Sequence, residues 1–272
     1  MKKTILITGS TDGIGKLAAQ SLASEGHTVY LHGRNASKLQ AAVEALKAQT
    51  SNANIHGVLA DFADLPAVAE LGKTLNRELP ALNVLINNAG IFQTQAPQTA
   101  SGLDIRFVVN YLAPYLLTRE LMPLFEKTSG ARIVNLSSAA QAPVDANALQ
   151  GRLPLGAQEA YAQSKLALTM WSFSLASELA SMSVLAVNPG SLLNTKMVQE
   201  AYGHHWSSAD KGASLLHDLA VAPSFEGHTG QYFDNDLGNP RGDFGRAHAD
   251  AYNPDKVANL RSLTDQLLAQ HL

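Results

Sequence analysis

The sequence predicts an α/β protein, a doubly wound parallel sheet of about seven strands with helices on both faces. Two observations lead to this fold class. Short apolar runs alternate almost throughout the chain with longer stretches that have helical spacing, and parallel strands need such crossover connections. With 272 residues, of which 46% are hydrophobic, the chain can bury one large core. Because right-handed crossovers place helices on both faces of a sheet, we expect one domain over residues 1–272.

Strands and helices are predicted from different apolar periods. Short runs of β-rich apolar residues predict the strands. These runs cover residues 4–8, 28–31, 55–59, 84–87, 132–136, 184–187 and 231–233. Between them, apolar residues recur with helical spacing and polar residues lie opposite, as at Ile14, Leu17 and Leu22. Near the end of the chain, Asn253 and Pro254 form the N-cap and first-turn pair of a final helix.

Two long connections interrupt this alternation, and each follows a predicted strand. Residues 141–158 are rich in Pro, Gly and Ala, and residues 191–208 contain His204, His205 and Trp206. In open α/β sheets, ligands bind at the carboxyl ends of the strands, and a long connection at that edge is more often functional than a linker. We therefore expect both segments to form walls of the active site, with residues 191–208 as a lid over the substrate.

The composition excludes several classes of partner and site. A formal charge of -3 gives the surface no general attraction for nucleic acid or anionic lipid. The chain has no cysteine, which excludes disulfides, thiolate metal sites and a cysteine nucleophile. No apolar stretch reaches the ~18 residues of a membrane span, and the run after Lys3 ends at Thr8, too early for a signal peptide. A cytoplasmic location is therefore the default expectation.

A glycine-rich turn follows the first predicted strand and precedes a helix. It comprises Gly9, Ser10, Thr11, Asp12, Gly13, Ile14 and Gly15. Glycines at such a turn let the backbone approach a pyrophosphate, and the helix N-terminus faces the negative charge. The turn predicts a dinucleotide site, although its spacing, GxxxGxG, differs from GxGxxG and a purely structural turn is the alternative. The Asp12 carboxylate either faces solvent or caps the helix.

Several motifs, taken in order, resemble the short-chain dehydrogenase/reductase family. They are TGSTDGIG at residues 8–15, NNAG at 87–90, Asn110, Ser138, YAQSK at 161–165 and NPG at 188–190. The resemblance extends over essentially the whole chain. The segments RIVNLSSAA, AYAQSKLA and GQYF, with the long interval from Ser138 to Tyr161, are similar to the retinol-dehydrogenase-like and WW-domain-oxidoreductase-like branch. The resemblance implies a Rossmann-type fold and a nicotinamide-dependent oxidoreductase.

The end of the second strand bears on the choice of cofactor. An acidic residue about 20 positions after the glycine turn typically binds the ribose 2′-hydroxyl of NAD(H), whereas an arginine accommodates the 2′-phosphate of NADP(H). Arg34 and Asn35 occupy that place, with no carboxylate. This favours NADP(H) over NAD(H), with Arg34 as an ordinary loop residue the alternative. The resemblance implies further cofactor contacts by Asp61, Phe62, Asn88, Ala89, Gly90, Pro189, Gly190 and Thr195. For the asparagines of NNAG, hydrogen bonds to backbone that tie neighbouring strands together are the alternative, which is compatible with cofactor contact.

Tyr161 and Lys165 form the predicted acid–base pair. Reduction of a carbonyl needs a proton donor at the oxygen, and the reverse reaction needs the same group as a base. A nearby ammonium favours the phenolate and lowers the pKa of a tyrosine. The spacing of four places both side chains on one face of a helix that starts near Gln158. The resemblance implies these roles and adds contact with the cofactor ribose.

Ser138 and Asn110 complete the predicted catalytic set. Ser138 ends the fifth strand and is expected to donate a hydrogen bond to the substrate oxygen. Ser137 is the competing choice, since adjacent strand residues face opposite sides, and the resemblance selects Ser138. The resemblance also implies that Asn110 holds a water that links Lys165 to solvent, with an ordinary polar helix residue as the alternative.

These observations predict an NADPH-dependent reductase of ketones or aldehydes. The alternatives are an NAD-dependent alcohol dehydrogenase and a non-catalytic NADP-binding sensor or scaffold. The apolar residues of the lid are expected to enclose an apolar substrate, with packing of a helix as the alternative. These are Leu192, Leu193, Met197, Tyr202 and Trp206. The resemblance further implies a homodimer or homotetramer.

No metal site is predicted. His204 and His205 are adjacent and face different ways, and no partner has a recognisable ligand spacing. Asp234, Asn235 and Asp236 lack the glycine and the terminal glutamate of a calcium loop. We interpret this acidic segment as a surface turn.

Overall fold

The carboxyl ends of the parallel strands meet at one edge of an eight-stranded sheet. The computed structural model describes residues 1–179, 181–238 and 241–272. The strands are β1 (Thr4–Ile7), β2 (Thr28–Gly33), β3 (Ile55–Leu59), β4 (Val84–Asn87), β5 (Arg132–Leu136), β6 (Ser183–Asn188), β7 (Gln231–Asp234) and β8 (Asp243–Gly245). They lie in the order β3-β2-β1-β4-β5-β6-β7-β8. The first seven strands are parallel, which confirms the doubly wound fold.

One strand more is present than the sequence predicts. β8 has three residues, of which Phe244 is the only large apolar one, so its sequence shows no alternation of apolar and polar residues that would predict a strand. It pairs antiparallel with β7, and the Phe244 and Phe233 rings meet edge-on at 5.2 Å between centroids. The chain turns back after β7 instead of crossing over the sheet, and the alternation of strand and helix therefore ends there.

Ten α-helices lie in the described part of the chain. They are α1 (Gly13–Ser24), α2 (Ala36–Thr50), α3 (Leu65–Glu78), α4 (Ile105–Phe107), α5 (Ala113–Phe125), α6 (Ala146–Leu149), α7 (Ala157–Glu178), α8 (Lys196–Tyr202), α9 (Ala209–Val221) and α10 (Pro254–His271). A π-helical turn (Val108–Leu112) joins α4 to α5. The Asn253 Oδ1 accepts from an N–H in the first turn of α10, which confirms the predicted start of that helix. Within the described residues, no helix is long and apolar enough to cross a membrane.

Each face of the sheet has its own hydrophobic core. Because side chains alternate along a strand, Ile5 and Ile7 of β1 point to one face and Leu6 points to the other. Ile5 and Ile7 belong to the core that includes Leu22 of α1, whereas Leu6 belongs to the core that includes Leu117 of α5. All five side chains are fully buried. Burial on both faces holds the register of the parallel strands, so their polar ends converge at one edge.

The last helix covers the π-helical turn and α5 from outside. Tyr111, in the π-helical turn, is fully buried, and its hydroxyl lies 2.7 Å from the Thr264 Oγ1 of α10. The Tyr115 hydroxyl of α5 donates to the Asp265 carboxylate at 2.7 Å. Burial raises the pKa of both tyrosines, so both hydroxyls stay neutral. These two bonds fix α10 against the helical segment that carries Asn110.

Candidate active site

A cleft of about 430 Å³ opens at the carboxyl edge of the sheet, beside β1 and β4, where the strand order reverses. Open α/β sheets bind ligands at this position. Most of the residues predicted for the site line this cleft. They are Gly9, Thr11, Asp12, Gly13, Ile14, Arg34, Asp61, Phe62, Asn88, Ala89, Gly90, Ser138, Tyr161, Lys165, Pro189, Gly190 and Thr195.

Three predicted cofactor residues shape the cleft without lining it. Ser10 is buried, and its hydroxyl donates to the carbonyl at the end of β1 at 2.7 Å. The Asn35 Oδ1 accepts from an N–H in the first turn of α2 at 2.9 Å and so caps that helix. An added Cβ at Gly15 would come within 2.4 Å of the Asn88 Nδ2. These residues position the backbone of the cleft. The side chains of Ser10 and Asn35 are already hydrogen-bonded to backbone, and Gly15 has no side chain.

The glycine turn approaches the end of β4 closely. Gly9 has a φ of +62°, and an added Cβ would lie 2.7 Å from the Cα of Ala89. The Asn88 Nδ2 donates to the carbonyl oxygens of Thr8 and Gly9, each at 2.8 Å. Both the backbone conformation and the contact therefore require glycine at residue 9.

We expect Gly9→Ala to destabilise the protein more than the matched variant Gly130→Ala. Gly130 has a similar φ of +66°, but no heavy atom lies within 4 Å of an added Cβ. Both variants carry the backbone strain, and only Gly9→Ala adds an overpacked contact, which costs about 1–3 kcal/mol more. Urea unfolding measures the two free energies. Equal losses would contradict the close approach of the glycine turn to Ala89.

His32 is a residue of the cleft that the sequence reasoning missed. Its Nδ1 accepts from the Gly9 N–H at 3.1 Å, so the ring proton is on Nε2, which donates to the Ala60 carbonyl at 3.0 Å. Burial lowers the pKa of His32 to about 4, and the ring is therefore neutral at pH 7. It also packs on Phe62, with ring centroids 4.2 Å apart. His32 thus joins the ends of β1 and β3 beneath the predicted cofactor residues.

Two charged residues mark the outer part of the cleft. Asp12 is exposed, and its Oδ1 accepts from the Gly13 N–H at 2.8 Å, so the side chain both faces solvent and caps α1. Arg34 is exposed and directly follows β2. Arg34 also lines the cleft, so its guanidinium group lies at the rim.

The inner end of the cleft holds Tyr161 and Lys165 of α7. The Lys165 Nζ lies 5.6 Å from the centroid of the Tyr161 ring and donates to the Leu136 carbonyl at 2.6 Å. Burial lowers the pKa of Lys165 to about 8. Burial also raises the pKa of Tyr161 to about 12, against the opposing effect of a hydrogen bond with the Ser138 hydroxyl. The expectation of a lowered tyrosine pKa is therefore wrong for the protein alone, because loss of hydration is the larger effect.

The structure separates the two candidate serines. Ser137 is buried, and its Oγ donates to the Lys165 carbonyl at 3.1 Å and lies 2.7 Å from the Thr169 Oγ1. The Ser138 hydroxyl instead faces Tyr161 and accepts from the Ala140 N–H at 3.1 Å. Both serines follow β5 and line the cleft, and they differ in their partners on α7: Ser137 contacts Lys165 and Thr169, whereas Ser138 faces the predicted proton donor Tyr161.

Asn110 lies in the π-helical turn, a form of helix that is frequent at functional sites. Its Oδ1 accepts from the Ile91 N–H at 2.8 Å. Its Nδ2 donates to the Ile91 carbonyl and to the Ser164 Oγ, both at 3.0 Å. Asn110 is fully buried and does not line the cleft. Its amide joins the segment after β4 to α7 beside Lys165, and one acceptor position of Oδ1 stays available for a further hydrogen bond.

A comparison of the chain with protein families agrees with this geometry, in which the glycine turn and the strand order accompany the cluster of Ser138, Tyr161 and Lys165. The model for the short chain dehydrogenase family matches residues 3–205. The chain belongs to this family. Short-chain dehydrogenases are oxidoreductases that act on CH–OH or C=O groups with a nicotinamide cofactor, which confirms the class of enzyme predicted from the motifs.

Three similar proteins span most of the chain. Mouse retinol dehydrogenase 12 is 31% identical over 243 residues, which cover 85% of this chain and 77% of that protein. A protein of Streptomyces sp. (strain C5) named as a daunorubicin C-13 ketoreductase, DnrU, is 34% identical over 240 residues, with coverages of 85% and 82%. The structure of a short chain dehydrogenase from Escherichia coli CFT073 complexed with NADPH has 26% identity and a TM-score of 0.71, with coverages of 85% and 95%. The first two confirm the predicted retinol-dehydrogenase-like branch.

In this short-chain dehydrogenase, residues 191–208 form a loop and the short helix α8 beside the cleft. Thr195 lines the cleft and caps α8. Tyr202, at the end of α8, stacks on Phe92 with centroids 5.9 Å apart. Phe92 in turn meets the Tyr161 ring edge-on at 4.9 Å. A row of aromatic rings therefore runs from the predicted proton donor to the lid.

The remaining polar aromatic residues of the lid face solvent. His204, His205 and Trp206 are exposed. Among the described residues, no group of three or more histidine, aspartate or glutamate side chains is placed to hold a metal ion.

Proposed function

We propose that this short-chain dehydrogenase is an NADPH-dependent reductase that converts a ketone or aldehyde to an alcohol, or catalyses the reverse reaction. The observation that carries the proposal is the convergence of Tyr161, Ser138 and Lys165 on the cleft that begins at the glycine turn. Hydride transfer to a carbonyl requires a dinucleotide site and a proton donor within one cleft. The glycine turn supports the first and Tyr161 supports the second.

The outer part of the cleft fits a phosphorylated dinucleotide. An added Cβ at Gly13 would meet only the Thr195 Cγ2, at 3.8 Å, so the backbone at the start of α1 is open to the cleft. The first turn of α1 contains no acidic residue, but the Asp12 carboxylate caps the helix through the Gly13 N–H. The remaining N–H groups of that turn would be the ones to face a pyrophosphate. The exposed Arg34 would pair with a 2′-phosphate, which favours NADP(H). A bound nicotinamide supplies the hydride.

Tyr161 is suited to donate the proton. With a pKa of about 12, its phenol is protonated at neutral pH and can pass its proton to the oxygen of a carbonyl that receives a hydride. The Ser138 hydroxyl can donate a second hydrogen bond to the same oxygen as negative charge develops on it. The Lys165 ammonium stabilises the phenolate that remains on Tyr161. In the reverse direction, the phenolate takes the proton from an alcohol.

The similar proteins support a carbonyl or alcohol carbon as the reacting group. One relative is named for retinol and another for the C-13 ketone of daunorubicin. Phe92 packs on the Tyr161 ring and Met197 lines the cleft, and these side chains support an apolar substrate. The name of the mouse relative also favours a second candidate, oxidation of an alcohol with NADP+ or NAD+.

A titration of the purified protein with NADPH and, separately, NADH tests the proposal. Nucleotide fluorescence reports binding, and loss of nucleotide absorbance reports turnover against a panel of ketones, aldehydes and quinones. We expect tighter binding of NADPH and turnover of at least one apolar carbonyl compound. Binding without turnover in either direction would favour a sensor, and failure to bind either nucleotide would contradict the proposed function.

We expect kcat/KM for carbonyl reduction to fall as the pH rises through about 8, the pKa of Lys165. Above that pH the amine loses its proton, and the phenolate left on Tyr161 loses the opposite charge that stabilises it. A pH profile of kcat/KM reports the groups of the free enzyme. Lys165→Met should be much slower at pH 7 and should lack this alkaline decline. A decline of the same midpoint in Lys165→Met would assign it to another group.

A further inference from the structure

The segment after β7 binds the loop that forms one wall of the cleft. The Asp236 carboxylate accepts from the Ser191 N–H at 3.0 Å, from the Ser191 hydroxyl at 2.6 Å and from the Asn188 Nδ2 at 2.9 Å. The Asn235 Nδ2 donates to the Pro189 carbonyl at 2.8 Å, and Asn235 itself is buried. Asn235 and Asp236 do form a turn in which Asp236 is exposed, as predicted, and these bonds add a contact with the cleft wall that the sequence did not indicate.

The same two residues also bind the chain beyond the lid. The Lys211 carbonyl accepts from the Asn235 Nδ2 at 3.3 Å, and the Lys211 ammonium lies 3.7 Å from the Asp236 carboxylate. Lys211 is in the first turn of α9, just beyond the lid, so Asn235 and Asp236 contact the chain on both sides of residues 191–208. Between these ends, a short parallel bridge pairs Leu193 with Ser207 and closes the base of the lid.

We propose that Asn235 and Asp236 are positioning residues that hold both ends of the lid and thereby place the cleft wall formed by Pro189, Gly190 and Thr195. Charge-assisted hydrogen bonds to backbone and hydroxyl donors are strong enough for this role. The donors on Ser191 and Asn188, with the Lys211 ammonium, keep the pKa of Asp236 below its ordinary value despite partial burial. The carboxylate is therefore ionised at neutral pH. Only the cofactor-binding part of this inference rests on the proposed function.

Limited trypsin digestion of Asp236→Asn tests the position of the lid. The asparagine side chain would place its NH2 group opposite the Ser191 donors, so part of the hydrogen bonding between residue 236 and Ser191 is lost. We expect cleavage after the exposed Lys196 of the lid to become about tenfold faster, which corresponds to about 1.4 kcal/mol of easier local opening. The matched control is Asp243→Asn, because the Asp243 carboxylate accepts from the neighbouring Phe244 N–H, at 2.7 Å, and lies outside the lid contacts. Ser191→Ala, which removes only one hydroxyl bond, should show a smaller change in the same direction.

Two further measurements separate positioning from a general loss of structure. Cleavage after Lys127, which is exposed in the turn after α5, should stay at the wild-type rate, and the free energy of unfolding in urea should fall by no more than about 1.4 kcal/mol, because unfolding also breaks the bonds of Asp236. The KM for NADPH should rise about tenfold while kcat changes less than about twofold. Unchanged cleavage after Lys196 would overturn the inference, as would an equal acceleration after Lys196 and Lys127. Faster cleavage confined to the lid supports the positioning role even when no nucleotide binds. That combination of results would count against the proposed function alone.

Discussion

Tyr161→Phe should remove nearly all carbonyl reduction and leave NADPH binding unchanged. The phenylalanine ring keeps the edge-on contact with Phe92, so the cleft retains its shape. It lacks the hydroxyl that would donate the proton to the substrate oxygen. Loss of a positioned general acid lowers kcat about 10²- to 10⁴-fold. Turnover followed by nucleotide absorbance and the Kd from a fluorescence titration measure the two effects.

Tyr252→Phe is the matched control for this prediction. Tyr252 is 47% exposed, and its hydroxyl accepts from the Ala247 N–H, outside the cleft. We expect this variant to keep both turnover and binding. Wild-type turnover in Tyr161→Phe would refute the acid–base role, and weaker NADPH binding in that variant would show that the substitution disturbs the cofactor cleft as well.

Arg34→Asp should shift the preference of the enzyme from NADPH toward NADH. The substitution replaces a cation that would pair with the 2′-phosphate by a carboxylate that repels it and can accept from a ribose 2′-hydroxyl. Loss of one hydrogen bond to a charged group costs about 1.5–3 kcal/mol. We therefore expect the Kd for NADPH to rise about 10- to 100-fold, with a fall in the Kd for NADH.

Arg77→Asp carries the same change of charge at a distance from the cleft. Arg77 lies on α3, is exposed and pairs with Glu70. We expect both nucleotide Kd values of this variant to stay near those of the wild type. If Arg34→Asp and Arg77→Asp change the two Kd values alike, the assignment of the 2′-phosphate to Arg34 fails.

Local sequence pattern is sufficient for the features that depend on neighbouring residues. The apolar runs predict the central parallel strands because β1, β4 and β5 are buried on both faces. The edge strand β3 is partly exposed, and its β-branched and apolar residues still indicate a strand. Asn253 and Pro254 predict the start of α10 because capping involves only the first turn. The spacing of Tyr161 and Lys165 predicts one helical face for the same reason.

The features missed from the sequence depend on contacts between distant residues. The bond from Gly9 to His32 joins residues 23 positions apart, and those from Ser191 to Asp236 join residues 45 positions apart. Neither contact produces a periodic pattern in the sequence, because a polar residue that binds a distant partner cannot be distinguished there from one that faces solvent. The direction of the shift in the Tyr161 pKa also could not be predicted from the local sequence, because it depends on how deeply the folded chain buries the phenol.

The hydrogen bond between Tyr111 and Thr264 also bears on the order in which parts of the chain can fold during synthesis. Its two residues are 153 positions apart. During synthesis, the strands and helices around the glycine turn leave the ribosome early and can pair with one another. The segment that contains Asn110 and Tyr111 can complete its packing only after Thr264 has been synthesised, 153 positions later. In a nascent chain, the glycine turn and its neighbouring strands would therefore form before the packing around Asn110 is complete.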